Sequence, residues 1–164
     1  MKRKVKEKLK DKMTIIFFSG TMDKALAMLI LATTAASMGM DVEVFFTFWG
    51  LNFLKKAKSF KNKNILQKMM EFMMPSSRNK LPLSSMNMLG AGPVMMKKLM
   101  MSKKMPSIEE LFEMAKQFKV KLIACSTSCG IMGVGPENMI EGVEIAGATT
   151  FLSKAKNAKI NLFI

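Results

Sequence analysis

The stretch Lys121-Leu-Ile-Ala-Cys-Ser-Thr-Ser-Cys-Gly-Ile-Met-Gly133 contains both cysteines of the chain, and the remaining segments are read outward from it. Lys121 to Ala124 is a short β-type run, and Ser, Thr and Gly residues follow Cys125 at once. The pattern therefore places Cys125 at the carboxyl end of a buried strand. Open α/β sheets put their ligands at that edge. If the residues after Cys125 open a helix, its free N–H groups and positive dipole end favour the thiolate, the nucleophilic form of cysteine.

Just upstream, Ser107 with Glu110 three positions later forms a capping box, and Ile108, Leu111, Phe112, Ala115 and Phe118 share one face of a helix over 108–118. Nearer the N-terminus, Thr14-Ile-Ile-Phe-Phe18 reads as a first buried strand closed by Ser19-Gly20. Thr21 is placed to cap a helix from Met22 to about Met38, with Gly39 in the C-terminal cap position. Asp41 to Phe46 reads as a second strand, ending at Thr47-Phe-Trp-Gly50. Trp49 is either a pocket wall at the same sheet edge as Cys125 or a side chain packed under a loop. Beyond the cysteines come a short connection, a strand or loop at Val143–Ile145, a helix over 147–158 and a terminal strand over 159–164. Strands alternating with helices imply βαβ units and a parallel sheet.

Residues 51–105 interrupt this alternation with Met clusters, lysine pairs, Gly and Pro. We read them as an insertion after the second strand, a lid or partner surface if the methionines face outward and plain core if they do not. Gly90-Ala-Gly92 and Gly133-Val-Gly135 each resemble the start of a dinucleotide fingerprint. Each is followed by Pro and lacks a third Gly in register, so nucleotide binding through them is not expected.

Composition narrows the chemistry. The chain has 164 residues, enough for one domain with a real core. It contains no His, which removes Ser–His and Cys–His nucleophile pairs and imidazole metal sites. Two cysteines do not make a four-thiolate metal site, and no metal is expected. The uncharged stretches 25–40 and 81–96 fall short of the about 17–25 residues a transmembrane helix needs. Neither membrane spanning nor a secretory signal is expected, and a reducing cytoplasm is the default location. The net charge of +14 suggests an anionic partner. No aromatic residues interleave with the lysine pairs of 97–104 as a base-stacking platform requires, so nucleic acid is not the expected one.

Cys125 and Cys129 are spaced C-x-x-x-C. In a regular helix such positions have Cβ atoms about 5–6 Å apart, whereas a disulfide needs about 3.5–4.5 Å. An undistorted helix keeps them as two neighbouring thiols. Spacing alone leaves structural and catalytic roles both open.

Four segments in order, Ser19-Gly-Thr-Met-Asp-Lys-Ala-Leu26, Val44-Phe-Phe-Thr-Phe-Trp-Gly50, Met88-Leu-Gly-Ala-Gly-Pro-Val-Met-Met96 and Ile123–Gly133, resemble the DsrE/DsrF-like family, in its Met-rich, peroxiredoxin-like branch. The resemblance implies a flavodoxin-like parallel α/β sheet with helices on both faces and the Met-rich insertion after the second strand. Residues 1–12 would be a basic lead and 13–164 a single domain. It also implies a homo-oligomer and a sulfur-relay role without a cofactor, in which a cysteine moves sulfane sulfur to or from a TusA-like carrier or another partner thiol. Cys125 matches the family's cysteine. Cys129 has no secure counterpart, so its role does not carry over, and it is kept as a candidate relay or resolving thiol. A sulfur oxyanion or persulfide substrate would meet Gly20, Thr21, Thr47, Trp49, Ser126 and Gly130. Two other readings remain: thiol redox chemistry through Cys125 and Cys129, and a non-catalytic basic binding module.

Overall fold

The computed structural model of the chain describes residues 11–164. Most of the basic lead thus lies outside the described residues. Lys12 already belongs to the first strand, where it pairs with Asp41.

The strands are β1 (Lys12–Phe17), β2 (Asp41–Phe46), β3 (Lys121–Cys125), β4 (Val143–Ala146) and β5 (Ile160–Phe163). All pairings are parallel, in the order β4-β3-β2-β1-β5. The helices are α1 (Met22–Ser37), α2 (Ile65–Met73), α3 (Ala91–Ser102), α4 (Ile108–Gln117), α5 (Ser126–Met132) and α6 (Ala148–Ala155). This is the expected flavodoxin-like α/β architecture, with the Met-rich insertion between β2 and α4.

The topology explains where the core lies. From β1 to β4 every crossover steps in the same direction, and right-handed connections then place the helices on one face. There Ile15, Phe17, Val44, Phe46 and Leu122 pack against Met28 and Leu29 of α1 and Leu111 and Phe112 of α4. The step from β4 back to β5 reverses direction and puts α6 on the other face. There Phe151 of α6 stacks on Phe45 at 4.6 Å, beside Ile123 and Cys125.

One local expectation is corrected. Thr21 occupies the N-cap of α1, but its hydroxyl makes no capping bond. The first turn is held instead by the insertion: the Met22 N–H donates to Pro82 O at 2.7 Å, and Asp23 accepts from the N–H and hydroxyl of Ser84. The two glycine pairs serve the backbone. Gly90 and Gly133 have positive φ at the start of α3 and the end of α5, and a Cβ on Gly92 would lie 1.9 Å from Met86 O.

The methionines divide. Met13, Met22, Met28 and Met132 fill the core, whereas Met69, Met73, Met95 and Met101 are exposed.

Candidate functional site

Cys125 ends β3 and is the N-cap residue of α5, so the chain turns from strand to helix at the thiol. The turn brings four donors from three residues near the sulfur: the N–H and hydroxyl of Ser128, the N–H of Thr127, and the Thr47 hydroxyl from the end of β2. The Thr47 and Ser128 hydroxyls are themselves 2.7 Å apart. Burial pushes the Cys125 thiol up, but these hydrogen bonds together outweigh it and hold the group below its ordinary value. Cys125 is 7% exposed, while Ser126 and Thr127 beside it are exposed.

Cys129, one turn on, lies in a different environment. It packs with Met132 into the main core, whereas Cys125 packs with Phe45, Ile123 and Phe151 beneath α6. Burial, reinforced by the charge of Cys125, pushes the Cys129 thiol up to about 11. Both cysteines are free. Of the two thiols, Cys125 is the one whose ionised form its surroundings favour.

The remaining expected residues divide around this point. Thr47 touches the site directly. Ser126 lines its exposed rim, where its hydroxyl lies 3.8 Å from the Cβ position of Gly147, the residue that opens α6. Gly130 is exposed on the far side of α5, and its carbonyl accepts from Gln67 Nε2 at 3.1 Å. Gly20 serves close packing, since a Cβ there would meet Trp49 O at 2.4 Å. Trp49 is 46% exposed rather than packed under a loop. Thr21 lies at the head of α1 and makes no contact assigned to the thiol.

Sequence reasoning missed three residues. At Ser128 the side-chain hydroxyl joins the backbone N–H beside the thiol. Gln67 of α2 clasps the end of α5 through the carbonyls of Gly130 and Ile131. Glu71, also on α2, is fully buried between Lys55 Nζ at 2.6 Å and Lys63 Nζ at 3.0 Å. Among the described residues no group of three Cys, Asp or Glu side chains is placed to hold a metal ion.

A parallel three-layer sheet with a hydrogen-bonded cysteine at a strand-to-helix turn defines a small α/β thiol protein. The family comparisons are more specific. The model of the DsrE/DsrF/DrsH-like family matches residues 9–163, and the chain belongs to that family. It is 39% identical over 157 residues to the sulfur carrier protein DsrE2 of Allochromatium vinosum, covering 93% of this chain and 98% of that protein. It is 38% identical over 152 residues to the uncharacterized protein YrkE of Bacillus subtilis, covering 92% and 95%. Among solved structures, YchN of E. coli matches with a TM-score of 0.51 at 13% identity, covering 93% of this chain and 99% of that one. MTH1491 of Methanobacterium thermoautotrophicum matches with a TM-score of 0.54 at 12% identity, covering 94% and 99%. At such identities these two structures establish the shared fold alone.

Proposed function

We propose that the chain is a cytoplasmic sulfurtransferase or persulfide carrier with Cys125 as the sulfur-bearing residue. The observation that carries this reading is the set of four donors from Thr47, Thr127 and Ser128 that favours the Cys125 thiolate. Membership of the family, and similarity to a protein named as a sulfur carrier, support the choice of sulfur as cargo.

In the loading step the Cys125 thiolate attacks the outer sulfur of a donor persulfide, D–S–SH. The new S–S bond forms as the donor's S–S bond breaks, giving Cys125–S–SH and the donor thiolate D–S⁻. With tetrathionate the thiolate attacks an inner sulfur, leaving Cys125–S–S–SO₃⁻ and releasing thiosulfate. Thr47 and Ser128 are placed to donate hydrogen bonds to the charged sulfur before and after transfer. In the unloading step a partner thiolate, A–S⁻, attacks the outer sulfur of Cys125–S–SH, leaving A–S–SH and restoring the Cys125 thiolate. A TusA-like carrier is the proposed acceptor. The narrow exposure of Cys125 suits a slender sulfur chain, and the exposed Ser126–Thr127 rim suits a docked thiol.

A homo-oligomer belongs to the same proposal. Among the described residues α6 alone packs on the second face of the sheet, and Phe163 of the edge strand β5 remains exposed beside Phe18, 5.8 Å away. Peroxide chemistry with Cys129 as resolving thiol is disfavoured, because the two cysteines pack into separate apolar clusters and Cys129 is held protonated.

Intact mass of the reduced protein after exposure to polysulfide, tetrathionate or peroxide tests the reading. The expected result is a sulfur adduct that dithiothreitol removes, kept in Cys129→Ser and lost in Cys125→Ser. Oxygen addition with peroxide and no sulfur adduct would replace the proposal with the redox reading.

A further inference from the structure

Helix α2 is inside out. Its acidic residue Glu71 is buried, while Leu66, Met69, Phe72 and Met73 are exposed. Helix α3 is apolar around most of its circumference yet buries only Gly92 and Met100. A helix of that composition is ordinarily buried on all sides. Between the two helices, the loop before α3 carries Met86, Met88 and Leu89 with positive φ, and Leu89 is 107% exposed. The three elements are continuous. One surface groove runs from Lys58, Phe72 and Met73 to Lys80 and Pro82, and the next runs from Lys80 and Pro82 to Leu89 and Val94.

The charge on this face is one-sided. Between Leu51 and Met105 the only acidic residue is Glu71, which is buried and ion-paired, while every other charged side chain is Lys or Arg. Lys68, Lys98, Lys103 and Lys104 are exposed on or beside the two helices. A second copy of the chain would bring like charge against like. Nucleic acid would meet the lysines but find Phe72 as the one ring named on this face, and would gain little from the Met, Leu and Ile side chains that make up the rest. Protruding apolar side chains ringed by lysines match the interface of an anionic bilayer, where apolar groups enter the acyl boundary and lysines meet the headgroups.

We propose that the α2–α3 face is a peripheral docking surface for anionic lipid. No helix of the described residues is long and apolar enough to cross a membrane. Docking there departs from the sequence-based expectation that the membrane is not a partner. Because α2 also holds the end of α5 through Gln67, the docked surface and the cysteine helix are mechanically joined.

The test is co-sedimentation of the full chain with vesicles of phosphatidylcholine alone or mixed with phosphatidylglycerol. Binding to the mixed vesicles only, weakened by salt, is expected. The pair Lys98→Glu and Lys103→Glu removes two lysine–headgroup attractions and should weaken binding on the order of thirtyfold or more. The pair Lys119→Glu and Lys156→Glu makes the same change of net charge away from this face and should weaken it far less. Met88→Asn with Leu89→Asn, which suits the left-handed backbone there, should also abolish most binding. Equal sedimentation with both vesicle types, or equal losses in the two lysine pairs, overturns the proposal. So does light scattering in which the Asn pair dissociates an oligomer formed by the parent chain, since the face would then be covered by another copy.

Discussion

At Cys125 the decisive balance is between burial, which raises a thiol pKa, and four hydrogen bonds, which lower it. Because the folded value lies below the ordinary 9.0, the thiolate persists to lower pH than in a free cysteine. The rate of iodoacetamide labelling at Cys125 should therefore show its inflection below 9.0, and both Thr47→Val and Ser128→Ala should move it upward. An inflection unmoved by either change would show that these hydroxyls do not tune the thiol. Cys129 has the opposite sign. Its neutral form is preferred in the fold, so a destabilisation should develop as pH climbs from 9.0 toward about 11 and vanish in Cys129→Ala. A urea-melt series over that range checks it. Cys125 was legible because a β-type run followed by Ser and Thr leaves few other places for a strand to end, and Thr47 was legible as the matching end of β2. The Ser128 hydroxyl was not. In a run of Ser-Thr-Ser only the helical turn decides which hydroxyl comes back over the sulfur.

Among the elements, α2 shows most plainly how distant residues override a local pattern. Its apolar residues alone would put the other side of the helix against the core. Glu71 reverses this because Lys55 and Lys63 arrive from the preceding loop and take the carboxylate into the interior. Nothing in the sequence of 51–80 pairs those three residues, so no buried ion pair was expected there. By contrast, the capping box of Ser107 and Glu110 and the apolar Ile108, Leu111, Phe112 and Ala115 of α4 are local signals that appear as expected, whereas Phe118 falls at the C-cap and is exposed. Leaving two buried ammonium groups without their counter-charge is costly, so Glu71→Gln should destabilise the protein by about 3–5 kcal/mol. Burial raises the Glu71 carboxyl, but the bonds to Lys55 and Lys63 outweigh it and bring it below 4.5. Its contribution is thus present above about 4.5 and lost as pH falls through the folded value. The urea midpoint should drop in acid, and less steeply in Glu71→Gln. A variant with unchanged midpoint and unchanged acid slope would mean that the buried triad contributes nothing to stability.

Across the whole molecule, the alternation of strands and helices was enough to define a parallel α/β sheet, because each βαβ unit is specified by short-range signals and a single crossover hand. The placement of β5 beside β1 was not readable, since nothing in 159–164 distinguishes one open edge from the other. That step alone sends α6 to the second face and encloses Cys125 beneath Phe151. The same topology gathers the ends of β2 and β3 and the start of α6 around one thiol and leaves the Met- and Lys-rich α2–α3 face apart from it. The account rests on Cys125 handing sulfur to another thiol, so the most direct measurement starts from protein loaded with one sulfur at Cys125. It is mixed with a reduced TusA-like carrier, and both intact masses are followed. The account predicts that the carrier gains one sulfur as this chain loses it, with Cys129→Ser behaving alike. Sulfur that stays on Cys125, or leaves only as sulfide while Cys129 joins Cys125 in a disulfide, would contradict it.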